Sequence, residues 1–159
     1  MENRLIEASR NGNIGLVKTL INSGVDVHAE NNSALRWAAK NDHLEIVRLL
    51  LDHGANVHAL DDYSLRWATN NSEVVRLLLD HGANIHARDD QTLRSAAEND
   101  HLEVVRLLLD HKANIFSLSS DSQLKYSHLL PKLSPEFENM VVREDNGIIT
   151  LSNGRYYLH

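Results

Sequence analysis

The ten histidines of this 159-residue chain are the residues whose type and spacing could do chemistry. Eight of them fall into ladders: His28, His58 and His86; His53, His81 and His111; His43 and His101. Imidazole ligates metals and moves protons near neutral pH. A zinc site or a general base is therefore the first chemistry to weigh. Zinc needs its ligands at about 2.0–2.1 Å. Equivalent histidines in stacked copies of a repeat lie about one helix diameter, ~10 Å, apart, so they do not share an ion easily. A pair within one unit, such as His53 and His58, keeps a metal in play. Several partly buried histidines would also make stability fall as pH drops through about 6. Other chemistries have less to work with. Without cysteine there is no thiol nucleophile, no thiolate metal site and no disulfide. No phosphate loop, nucleophile elbow or H-E-x-x-H occurs, and the serines and carboxylates have no partners at catalytic spacing. The expectation is no enzyme, no resident metal and no cofactor.

The histidines are periodic because the chain is periodic. HLEIVRLLLDHGANVHA (His43 to Ala59) returns as SEVVRLLLDHGANIHA (Ser72 to Ala87) and as HLEVVRLLLDHKANIFS (His101 to Ser117), with a diverged first copy at Asn13 to Ala29. Ahead of each copy lies a shorter piece: LIEASRNG, LRWAAKND, LRWATNN and LRSAAEND. Its leading residues Leu5, Leu35, Leu65 and Leu93 are spaced 30, 30 and 28 apart. Repeats of this length mark a solenoid. Each unit resolves into two helices. Leu35, Ala38 and Ala39 form one apolar stripe, and Leu44, Val47, Leu50 and Leu51 form another, widened by Ile46 and Leu49. One hairpin cannot bury such stripes, but stacked neighbours can. Asn32, Asp62 and Asp90 read as N-caps of the first helices. Gly24, Gly54 and Gly82 read as left-handed residues closing the second helices. Glu45 and Arg48, with their counterparts 73/76 and 103/106, read as weak solvent-side pairs.

The string HLEIVRLLLDHGANVHA resembles the second half of an ankyrin repeat, G-H-x-x-V-V-x-L-L-L-x-x-G-A-D-V-N-A. The resemblance covers about residues 2–117, as four units near 2–31, 32–61, 62–89 and 90–117. Ankyrin repeats usually run about 33 residues, so these are short. The loss falls between His28 and Leu35 and predicts a stubby β-hairpin finger. The third unit also lacks two residues between Arg66 and Arg76, which predicts a tighter turn between its helices. The shortened style, with L-R-W-A and N-D-H-L-E-V-V, is similar to ankyrin proteins of giant DNA viruses of amoebae. That likeness implies a viral protein acting on a host factor.

The resemblance carries further implications. The turn and finger histidines would knit loops together by hydrogen bonds, the alternative to a metal. A partner protein would lie on the concave face of finger tips and exposed first-helix positions. Here those positions are Glu30, Asn31, Lys40 and Asn41, then Leu60, Tyr63 and Asn70, then Arg88, Gln91, Glu98 and Asn99. Trp37 and Trp67 are either contact residues on that face or inter-repeat packing. Arg36, Arg66 and Arg94 stand where the family has histidine. They form either a ladder to neighbouring loops or part of the contact surface.

Repeat character fades from Lys112, which takes the place of the closing glycine at a cost of about 1 kcal/mol if the backbone stays left-handed. Asp121 to Leu130 read as a degenerate fifth first helix stopped by Pro131. Ser134-Pro135-Glu136 reads as another helix start. Two Asn-Gly turns, at Asn146-Gly147 and Asn153-Gly154, then predict a small three-stranded meander. Residues 118–159 would thus be a capping repeat with a β tail. That tail could instead be a docking or self-association element. Leu130 to Phe137 (LPKLSPEF) also resembles the opening of an F-box, implying a ubiquitin-ligase adaptor, although the strand signals that follow depart from one.

Charge and hydropathy bound the partners. The formal net charge of −6 argues against nucleic acid. No stretch approaches the ~20 apolar residues of a membrane helix, and the N-terminal residues lack the apolar run of a signal peptide. The whole reads as an all-α, ankyrin-like helix–turn–helix solenoid with a small C-terminal β-hairpin or meander. It is expected to be intracellular and cytoplasmic, in the host cytoplasm if viral, and to bind another protein as a monomer or a weak homo-oligomer joined through the tail.

Overall fold

The computed structural model describes residues 2–129 and two short segments, 143–145 and 148–150. Nine α-helices lie among the described residues: α1 Glu2–Arg10, α2 Ile14–Asn22, α3 Ala29–Lys40, α4 Leu44–Asp52, α5 Ala59–Trp67, α6 Ser72–Asp80, α7 Ala87–Glu98, α8 Leu102–Asp110 and α9 Ser120–Tyr126. First helices pack on first helices, α1 on α3 on α5 on α7, and second helices on second helices, α2 on α4 on α6 on α8. The apolar stripes meet between these two layers. Leu35, Ala38, Ala39, Val47 and Leu50 are fully buried, as are Leu65, Val74, Val75, Leu78, Leu93, Val105 and Leu108. One continuous core results, and each unit completes its neighbour's.

The helix ends follow the sequence in part. Gly24, Gly54 and Gly82 are left-handed at φ of 82, 85 and 87°. The amides on either side close a Schellman motif: Gly54 N–H donates to Leu51 O and Ala55 N–H to Leu50 O. Lys112 keeps the same conformation without a glycine, at φ 69°, and Lys112 and Ala113 make the same two bonds to Leu109 and Leu108. The third unit loses its two residues from the end of its first helix. α5 stops at Trp67 after nine residues, where α3 and α7 run twelve. Asn71 then caps α6 by accepting from Glu73 N–H and Val74 N–H.

The fingers differ from expectation. No hairpin forms at any of the three. Each finger is three successive non-glycine residues in left-handed conformation: Glu30-Asn31-Asn32, Leu60-Asp61-Asp62 and Arg88-Asp89-Asp90, all with φ between 50 and 57°. The shortened connection leaves no residues for two strands, so the chain reverses in one left-handed turn before the right-handed helix begins. Asn32, Asp62 and Asp90 end these turns. Their Oδ1 atoms accept from the backbone N–H of Asn56, Asn84 and Asn114, in the connection after the next second helix, at 2.7, 2.8 and 2.9 Å. They therefore tie each finger to the connection that follows, and their expected role as N-caps is corrected. The Glu–Arg pairs are on the exposed side as expected. They are not among the ion pairs of the described residues.

Past the fourth unit, the helix expected at residues 121–130 is α9, followed by a 3-10 turn over Ser127–Leu129. Tyr126 of α9 is 2% exposed. Its hydroxyl lies 2.9 Å from Asp100 Oδ1 and 3.2 Å from Ala97 O. Arg143–Asp145 and Ile148–Thr150 pair antiparallel, Arg143 opposite Thr150. The F-box-like run, the second helix start and the rest of the expected meander lie outside the described residues.

Candidate functional site

Arginine holds the left-handed fingers. Arg36 donates through Nε to Asn31 O and through Nη2 to Glu30 O, at 3.1 and 3.0 Å. Arg66 does the same to Asp61 O and Leu60 O, at 2.7 and 2.8 Å. Arg94 repeats it through Nη1 and Nη2 on Asp89 O and Arg88 O. A guanidinium fork suits two adjacent carbonyls, whereas a lysine ammonium has no such planar, fixed pair of donors. The sequence left a ladder to neighbouring loops open. Each arginine clamps the two carbonyls that close the preceding unit, just ahead of its own helix, and Arg66 also donates from Nη1 to Gln91 Oε1 of the next unit at 2.9 Å.

The same arginines lie beside aromatic rings on the first-helix face. Arg36 and Arg66 lie 5.2 and 5.3 Å from the Tyr63 ring centre. Tyr63 stacks on Trp67 at 5.6 Å. Lys40 Nζ sits between two indoles, 4.7 Å from Trp67 and 5.2 Å from Trp37. Arg10 covers the other indole at 3.6 Å. Trp37 is half-buried against the core, whereas Trp67 is 42% exposed. A hollow of about 20 Å³ lies among Arg36, Trp37, Lys40 and Tyr63. It has room for a water-sized group, far below the ~300 Å³ at which small-molecule pockets begin.

Of the expected contact residues, the structure brings Trp37, Lys40, Tyr63 and Trp67 into this one cluster. Glu30, Asn31 and Leu60 stand on the fingers and give their carbonyls to the arginines, with Leu60 48% exposed. Arg88 pairs across units with Asp61 at 2.9 Å, and Gln91 serves Arg66. Asn41 donates to Arg10 O, and Asn99 to Ser95 O. Glu98 is exposed at the end of α7. Asn70 lies in the shortened turn beside Asp42 of the preceding unit. Burial pushes the Asp42 carboxyl above the ordinary carboxylate range, against the hydrogen bond from Asn70 and the nearby His43 and His101. Arg10 was not among the expected residues. A signal for it was available: it follows Leu5 by five, as Lys40 follows Leu35.

The histidines are absorbed into loops and helix ends. Among the described residues no three His, Asp or Glu side chains come together as a metal site would require. His53, His81 and His111 each place Nδ1 2.8 Å from a carbonyl one turn back in their own helices, Leu49, Leu77 and Leu107. His43 Nε2 lies 2.9 Å from Arg10 O and so ties the turns of two units. A Cβ at Gly12 would stand 2.7 Å from the same ring, which leaves that position to glycine. His58 and His86 set Nδ1 3.0 Å from Asp62 and Asp90 Oδ1. A ring nitrogen facing a carbonyl acts as the donor.

A family model for ankyrin repeats, three copies, matches residues 5–89 and again 61–119. The chain belongs to the ankyrin-repeat family. The two-layer stack agrees with that membership, and the described residues 2–129 are all helical apart from their turns. Ankyrin repeats are scaffolds for protein–protein interaction and in general are not enzymes. A search of curated proteins found no match.

Proposed function

We propose that this ankyrin stack holds another protein on its first-helix face, centred on Trp37, Lys40, Tyr63 and Trp67. The observation that carries the reading is the exposed Trp67 stacked on Tyr63, with Lys40 bridging to Trp37. Aromatic and basic side chains gathered at one place are what binding hot spots use. The fingers flank this cluster, so Glu30, Asn31, Leu60, Arg88 and Gln91 form its rim. Asn41, Asn70, Glu98 and Asn99 lie toward the helix turns and form its outer edge. Residues 1–117 act as the four-repeat unit, and 118–159 act as its cap.

The short repeats fit the giant-virus style of ankyrin protein, with a host protein as partner and the host cytoplasm as its place. A pull-down from a host-like lysate compares the wild type with Trp67→Ala/Tyr63→Ala and with Arg76→Ala on the opposite layer, all checked for folding by circular dichroism. A protein kept by the wild type and Arg76→Ala but lost by the double variant supports the face. Equal retention by all three moves the site elsewhere. A second reading, self-assembly through the tail, draws on the strand pair at residues 143–150. It is tested by the molar mass of the chain before and after truncation at Leu118. The adaptor reading is tested by whether residues 118–159 alone retain ligase subunits.

A further inference from the structure

We propose that the segment held on this face is acidic: a partner peptide that sets carboxylates on Lys40, Arg10 and Arg36 and an apolar side chain on Trp67 and Tyr63. The inference rests on the first-helix face being the binding face and adds what it selects.

Three aromatic rings in a group would ordinarily suggest a cage for a cationic ligand. Here the rings are already served by the protein's own cations. Arg10, Arg36, Lys40 and Arg66 stand at 3.6 to 5.3 Å from ring centres of Trp37, Tyr63 and Trp67. An incoming cation would meet four positive charges already set against those rings. None of the four joins an ion pair. Among the described residues the pairs are His58 with Asp62, His86 with Asp90, Arg88 with Asp61 and Lys125 with Asp100. The finger carboxylate on this side, Asp61, is turned to Arg88. A chain of net charge −6 thus gathers four cations at one place, with no carboxylate of the described residues in an ion pair with them. Clustered charge of one sign steers and selects a partner of the other.

The four are not equally available. Arg66 is 9% exposed and spends its donors on Asp61 O, Leu60 O and Gln91. Arg36 gives Nε and Nη2 to its finger. Lys40, Arg10 and the remaining edge of Arg36 are what a ligand meets. The hollow beside Lys40 admits a single water-sized group, such as one carboxylate oxygen. The ring faces next to it take an apolar neighbour. Nucleic acid offers anions and stackable bases too. Yet the patch is small against the 6–10 phosphate contacts of a typical nucleic-acid site, and the rest of the molecule repels a polyanion.

The only two tryptophans of the chain are Trp37 and Trp67, so fluorescence excited selectively at tryptophan reports on the patch. The probes are a synthetic peptide alternating Glu with Leu, its Lys-for-Glu counterpart and an oligo-dT strand, each titrated into the full chain. The expected result is a saturable change with the Glu peptide, weaker at higher salt, and none with the Lys peptide. Lys40→Glu, remote from the finger clamps, should weaken Glu-peptide binding about tenfold or more, and Lys40→Arg should restore it. Equal binding of the Lys peptide, no effect of Lys40→Glu, or no saturable response to any probe overturns the inference. Tighter binding of oligo-dT than of the Glu peptide overturns it as well and gives the patch to nucleic acid. Each of these results leaves the lysate comparison standing, because a partner lost with Trp67→Ala/Tyr63→Ala but kept by Lys40→Glu binds this face through other chemistry.

Discussion

Asn32, Asp62 and Asp90 each reach from the end of one finger to a backbone amide in the connection after the next second helix, and each is nearly buried. Removing such an acceptor leaves a partly buried N–H without its partner and costs about 1–3 kcal/mol. Asp62→Ala should lose that much in urea unfolding. Asp62→Asn should lose far less, since Asn32 already makes the same bond. Asp42 works in the opposite direction. Its carboxyl is raised by burial, so the folded state binds a proton more readily than the unfolded one. Stability from this group therefore falls as pH rises past its unfolded value near 4. Asp42→Asn keeps an amide in the left-handed turn and should raise Tm at pH 7, with the difference vanishing near pH 3.5. Asp100 has the opposite sign: hydrogen bonds from Lys125 and then Tyr126 hold its carboxyl below the usual range. Its contribution is present above the unfolded value and fades as pH falls below it.

The helices were legible in the repeat because period, stripe and closing glycine all agreed. The fingers were not legible. A run of three left-handed residues costs about 1–2 kcal/mol each outside glycine, so propensity argues against it. Only the arginine six places past each finger's first residue makes it tenable, and the sequence showed that arginine merely as a replacement for histidine. Arg66→Lys should therefore destabilise by about 1–3 kcal/mol, read as a lower urea midpoint, whereas an ordinary surface arginine would tolerate the change. Lys112→Gly is the converse. It relieves a left-handed lysine that makes the Schellman bonds anyway, and should raise stability by about 1 kcal/mol.

In the whole molecule, stability is a sum over neighbours, so an end unit is protected on one side only. α9 covers that end through Tyr126, which is buried against the fourth unit. Tyr126→Phe should cost about 1 kcal/mol and Tyr126→Ala about 3–5 kcal/mol, with the loss showing first as fraying of α7 and α8 in hydrogen exchange. The patch was legible residue by residue but not as a patch. Trp37, Lys40, Tyr63 and Trp67 were each visible at first-helix positions. Their convergence with Arg10 depends on the lateral register of α1, α3 and α5, which no single repeat encodes.

The tie between units has one more consequence. Each carboxylate or amide reads a main-chain N–H of the next connection, a group every residue but proline supplies, and each arginine clamp grips two main-chain carbonyls at the end of the unit before it. Neither bond asks which side chains come next. A unit can thus be copied, deleted or transplanted along the array and still find its connection, so the gene can lengthen or shorten the protein by whole repeats without redesigning a joint.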